Sequence, residues 1–158
     1  MIAAHIAPQI VAILKPAPTR RNVERFHYIA GRRIGVRTYM LQYLIPVEYA
    51  EQSAAYVHVD DRATFNALEE IDRWGLTLVG HAHLHLARGP SGTTPSSIDR
   101  DFQSRLEQGK HIAVGSIFTP DGFIGFFGGD DLRFEIVALG HQIQEVRRNV
   151  LRIEMGNR

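Results

Sequence analysis

Residues 76–109 read LTLVGHAHLHLARGPSGTTPSSIDRDFQSRLEQG. A short apolar run, Leu76-Thr77-Leu78-Val79, leads straight into histidines at alternate positions, His81, His83 and His85. Alternation of this kind reads as a strand. The segment RGPSGTTPSS holds two Gly, two Pro and five Ser or Thr, the composition of a loop. Ser96 or Ser97 then stands where a helix cap belongs, Ile98–Gln108 reads as a helix, and Gly109 ends it. A strand, a loop and a returning helix imply a sheet with a helix laid against it.

Upstream, residues 61–74 form the clearest helix. Asp60 or Asp61 caps it, Phe65, Leu68, Ile71 and Trp74 make an apolar stripe, and Gly75 stops it. Val23–Gly31 alternates and is rich in aromatics, which predicts a strand turning at Gly31-Arg32-Arg33. Further strands are expected within 34–47, ending at Pro46, and over Ala55–Val59. Downstream, Ile112–Phe118, Pro120-Asp121-Gly122 and Phe123–Phe127 give the strongest hairpin signal in the chain. A strand is expected over Arg133–Leu139, and the last 18 residues read either as an Arg-rich helix or as an edge strand. At the other end, Ile2, Ile6, Ile10, Ile13 and Leu14 have helical spacing, closed by Pro16 and Pro18. Interspersed strands and helices without repeats or linkers predict one α+β (mixed α/β) domain over 1–158.

Composition narrows the function. With 44% hydrophobic and 22% charged residues, the chain has the make-up of an ordinary globular protein. No stretch has the roughly 20 apolar residues of a membrane span, and the N-terminus lacks the basic start of a signal peptide. A cytoplasmic protein without a membrane partner is the expectation. A net charge of +1 gives no concentrated positive field for nucleic acid. The absence of cysteine removes disulfides, thiol nucleophiles and cysteine zinc sites. Any metal must be held by His, Asp or Glu.

Strand residues i and i+2 face the same way, so His83 and His85 can present two imidazoles to one point. Asp99, at the start of the following helix, would complete a two-histidine, one-carboxylate zinc site with a fourth position open to water. A bland reading stands beside this one: three alternating histidines also make a polar solvent face.

The wider pattern resembles the JAMM (MPN-plus) metallopeptidases. Val79-Gly80-His81-Ala82-His83-Leu84-His85 is similar to the family's Val-Gly-x-x-His-x-His strand end. Pro95-Ser96-Ser97-Ile98-Asp99 is similar to its Ser-x-x-Asp at the next helix start, and Glu24 lies seven residues before Gly31, as the family's upstream Glu lies before a strand-closing Gly. The hairpin around Pro120-Asp121-Gly122 also resembles the family's later strands. The loop between His85 and Ser96 is longer than usual, and Leu86 stands where Pro is common. A longer loop costs little closure entropy.

The resemblance implies a mostly antiparallel curved sheet flanked by helices, with cytidine-deaminase-like layering. It implies one Zn2+ per chain on His83, His85 and Asp99, Glu24 as proton carrier and Ser96 as oxyanion donor. It places His81 as a pocket or second-layer residue, or as a substitute for one of the two histidine ligands. The implied activity is hydrolysis of an amide or isopeptide bond, at the tail of a ubiquitin-like protein or its conjugate. The loop 86–95 would wall the substrate groove. Residue by residue, plainer roles remain open: Ser96 as a helix cap, Glu24 as a strand-edge residue, Asp99 as a charge on the helix dipole. Two other functions compete, a scaffold module without catalysis and a zinc hydrolase of a small amide.

Overall fold

Alternating aromatic and apolar residues make Arg25–Arg33 a strand, β1. The computed structural model describes residues 23–53, 57–129, 133–137 and 143–153. The expected helix over residues 2–14 lies outside them. After β1 come β2 (Tyr39–Pro46), β3 (Tyr49–Gln52), β4 (Val57–Val59) and α1 (Asp61–Arg73). β5 (Thr77–Leu84) leads through a 3-10 turn, Pro90–Thr93, into α2 (Ser97–Gln108). β6 (Val114–Phe118), β7 (Phe123–Phe127), β8 (Ile143–Arg147) and β9 (Val150–Ile153) complete the order. Among the described residues no helix is long and apolar enough to cross a membrane.

Seven strands form one sheet in the order β2-β1-β5-β6-β7-β9-β8, and β3 and β4 pair separately. Every pairing in the large sheet is antiparallel except β5 with β6. A parallel pair needs a crossover, and α2 supplies it. The domain is α+β with a mostly antiparallel sheet, as the sequence predicts.

Two cores follow from strand alternation. Phe26, Tyr28, Ala30, Ile45 and Leu78 face α1 and α2, meeting Ala67, Ile71, Phe102 and Leu106. Ile29, Leu41, Leu44, Val79, Ala82 and Ile124 face the other way, with Phe134 and Ile136 against them. Each fully buried side chain of this size contributes roughly 1.5–3 kcal/mol.

Several boundaries differ from expectation, each for a local reason. β1 does not turn at Gly31; it runs to Arg33, and Ile34 N–H donates to Thr38 O to close the turn. Gly31 sits at a bulge where a Cβ would collide with the Met40 carbonyl, so it serves close strand contact. β3 lacks an apolar pattern and is set by pairing with β4. On α1 the buried positions are Ala67 and Ile71, four apart, whereas Phe65 is 60% exposed and Trp74 49%. Phe65 and Ala67 are two residues apart on a helix, on nearly opposite sides. Residues 133–137 form no strand although Phe134 and Ile136 pack on the core. The C-terminal segment is the β8–β9 hairpin, with β8 at the sheet edge.

One irregularity lies just upstream of the site. Ile29 pairs with Gly80 but Ala30 pairs with Leu78, leaving Val79 as an extra residue in β5. Leu78 therefore faces the helices and Val79 the other core, while His81 and His83 face the helices again. Gly80 fits beside this bulge because a Cβ there would lie 2.5 Å from the Val114 carbonyl.

Candidate metal centre

The carboxyl end of β5, the residue before β1 and the first turn of α2 converge on one spot. His83 ends β5's inward row. His85 lies one residue past the strand, held in the ladder by its N–H on Phe118 O at 2.9 Å. Glu24 precedes β1 and is two residues from Phe26, hence on the same face, where it is 8% exposed. Asp99 is the third residue of α2 and 4% exposed.

Ser96 caps α2. Its Oγ accepts from Asp99 N–H at 3.3 Å, and its own N–H and hydroxyl both donate to Asp99 Oδ2 at 2.7 Å. This reciprocal capping box locks Asp99 in place. The cap reading and the site reading of Ser96 are therefore both satisfied by one geometry. Asp99 also sits in the helix's positive end.

His83 lies between two carboxylates. Its Nδ1 donates to Asp99 Oδ1 at 2.7 Å and its Nε2 faces Glu24 Oε2 at 3.0 Å. A neutral imidazole carries one N–H, so it satisfies one of these acceptors and turns a lone pair on the other. A doubly protonated ring would serve both acceptors, and a neutral ring leaves one nitrogen lone pair in the cluster. His85 Nδ1 donates to Gly92 O at 3.1 Å, which leaves Nε2 directed at Asp99 Oδ2, 3.5 Å away. Orientation of one ring nitrogen by a backbone carbonyl is how metal-binding histidines are commonly fixed.

Glu24, His83 and His85 each offer a ligand atom within 4.8 Å of the others, a group able to hold a metal ion. Asp99 stands beside this trio, bonded to His83 and Ser96. All the residues anticipated from sequence, Glu24, His83, His85, Ser96 and Asp99, are thus gathered within one cluster. The donor set is oxygen and imidazole nitrogen, which suits zinc and other borderline divalent ions.

Charge and burial agree with that chemistry. Burial works to raise the Asp99 carboxyl, but hydrogen bonds from His83, His85 and Ser96 overcome it and hold Asp99 well below the usual carboxylate range. Burial likewise works to lower His85, and the Asp99 hydrogen bond and charge outweigh it, so His85 lies above the ordinary histidine value. The cluster attracts positive charge.

His81 belongs elsewhere. It is 1% exposed, stacks on Phe26 with centroids 5.5 Å apart, and meets Phe102 and Phe127 edge-on. Its Nε2 donates to Gln103 Oε1 at 3.1 Å, and Nδ1 is buried without a partner. Burial lowers its pKa to about 4. Gln103, buried and donating to Ala113 O and Glu107, fixes that tautomer. Sequence reading missed Gln103, although its spacing four residues after Asp99 places both on one helix face.

The loop 86–95 is tied down at several points. Gly89 N–H donates to Asp121, Arg147 donates to Pro90 O, and Thr93 packs on Gly125, where a Cβ would lie 2.6 Å from the Thr93 side chain. A cavity of about 320 Å³ opens beside His83 and Asp99, between β1, β4, α1 and α2.

No family model and no curated protein matches the chain. Among solved structures, the solution structure of protein DSY2949 from Desulfitobacterium hafniense is similar, with a TM-score of 0.60 and 18% identity. The match covers 88% of this chain and 93% of that one. The likeness carries the fold alone.

Proposed function

We propose that the chain is a zinc-dependent amide hydrolase of the JAMM type, a metallopeptidase or isopeptidase acting in the cytoplasm. The observation that carries the reading is the meeting of Glu24, His83 and His85 ligand atoms within 4.8 Å, next to a locked Asp99. Buried charge of this kind is retained when it is paired or holds a metal.

In this reading His83, His85 and Asp99 would hold the ion, which would supply Lewis-acid polarisation of water and of the substrate carbonyl. Glu24 takes a proton from the attacking water and returns it to the leaving amine. Ser96 is exposed, with its hydroxyl proton on Asp99. It turns that proton to the oxyanion while its backbone N–H keeps Asp99 in register. The ubiquitin-like tail is the substrate class that the sequence resemblance supplies. The cavity beside His83 favours a second substrate reading, a small amide, on the same machinery.

Elemental analysis of the purified chain tests the centre. About one zinc per chain is expected, lost in His85→Ala and in Asp99→Ala. Wild-type protein that takes up no zinc on reconstitution removes the hydrolase assignment.

A further inference from the structure

The cavity beside the metal centre has a chemistry of its own. Its volume, about 320 Å³, lies at the lower end of the roughly 300–1,000 Å³ typical of small-molecule sites. His83 and Asp99 form part of its wall, so it is continuous with the candidate reacting centre. Most of the rest is apolar: Phe26, Tyr28, Val57, Val59, Ile98 and Phe102. Phe26 meets Tyr28 and Phe102 edge-to-face at 5.1 and 5.2 Å, which leaves an aromatic corner rather than a flat floor. Asp61 and Arg105, one charge of each sign, are both exposed lining residues. With Asp99 also in the wall, the lining carries more acid than base and disfavours an anionic group.

We propose that this cavity is a side-chain pocket for the substrate, taking a bulky apolar group, aromatic or branched aliphatic, carried next to the scissile amide. The inference rests on the hydrolase reading and narrows its substrate class. A tail ending in glycine reaches the centre but leaves the pocket unfilled. An aromatic side chain buries roughly 150–250 Å² and meets ring edges and faces that favour it by geometry as well as by area. The substrate is therefore a peptide or small amide with a large apolar residue at the cleavage point.

Two measurements test the pocket separately from the chemistry. The first needs no turnover: the full-length chain is titrated with N-acetyl-phenylalanine amide and with N-acetyl-glycine amide while amide and methyl NMR shifts are followed. Shifts at Val57, Thr64 and Phe102 with the phenylalanine probe alone are expected, and Thr64→Phe, which fills the cavity, abolishes them without altering zinc content. The second compares cleavage by the zinc-loaded protein of peptides bearing Gly, Ala, Leu or Phe on either side of one amide. The bulky residues should raise kcat/KM by at least about tenfold on one side. Equal or absent shifts with both probes overturn the pocket, even if peptides are cleaved. Selective shifts with no cleavage of any peptide or of the N-acetyl-phenylalanine amide leave the pocket standing and overturn the hydrolase reading instead.

Discussion

His81 and His83 stand two residues apart on one strand and face the same helix, yet they occupy opposite chemical settings. His81 lies among Phe26, Phe102 and Phe127, with one amide oxygen as its polar partner. His83 lies between the carboxylates of Glu24 and Asp99. The first environment removes charge and the second gathers it. Residue type decides neither role; distance along the strand from the sheet's end does, because only the end of β5 meets the capped start of α2. Ligand sites at the carboxyl ends of parallel strands follow from the same geometry.

The contrast can be broken most sharply at Glu24. Glu24→Gln should keep zinc and lower turnover by roughly 10²- to 10⁴-fold, the usual worth of a general base. Zinc lost from this variant instead would make Glu24 a ligand and Asp99 a support for His83. Ser96→Ala should cost about 2.7–4 kcal/mol in the barrier but only about 0.5–2 kcal/mol in unfolding free energy, which separates oxyanion donor from cap. A loss in unfolding free energy with the barrier unchanged would leave it a cap alone.

At the dry end, His81→Ala should cost about 2–4 kcal/mol in urea unfolding, through the cavity left under Phe26 and the unpaired Gln103 oxygen, with zinc stoichiometry unchanged. Loss of zinc in a folded His81→Ala protein would erase the distinction drawn between the two histidines.

The smallest effect is a titration on β1. Burial first, and Arg25 second, lower His27 to about 4. As pH falls through about 6.5, the unfolded chain takes up this proton and the folded chain does not, so stability present above 6.5 drains away down to about 4. The loss should be about 2 kcal/mol, allowing for partial solvent contact. Unfolding followed from pH 7.5 to 4 should show a shallower decline in His27→Gln; an unchanged slope would assign the acid sensitivity elsewhere.

Much of this was readable from residues because the signals were local. Ser96, Ile98 and Asp99 spell a helix start, and the Pro120-Asp121-Gly122 hairpin carries its own turn chemistry. The histidine pair stood out because alternate positions share a face. What escaped depended on distant partners. Pairing with β4 sets β3, and the fold around Ala67 settles which side of α1 is buried. The role of His81 needed Phe102 and Gln103, neither of which is near it in sequence. The Gly92 carbonyl that orients His85 has no sequence signature at all.

The extra residue at Val79 means that hydrophobic rhythm and histidine rhythm on β5 keep separate time. Upstream of it the strand is phased by the two cores; downstream it is phased by the carboxylates. Deleting that single valine would join Ala30–Leu78 and Ile29–Gly80 into one regular ladder, so the imidazoles would keep their face and the cost would fall on the second core, which would lose one apolar side chain.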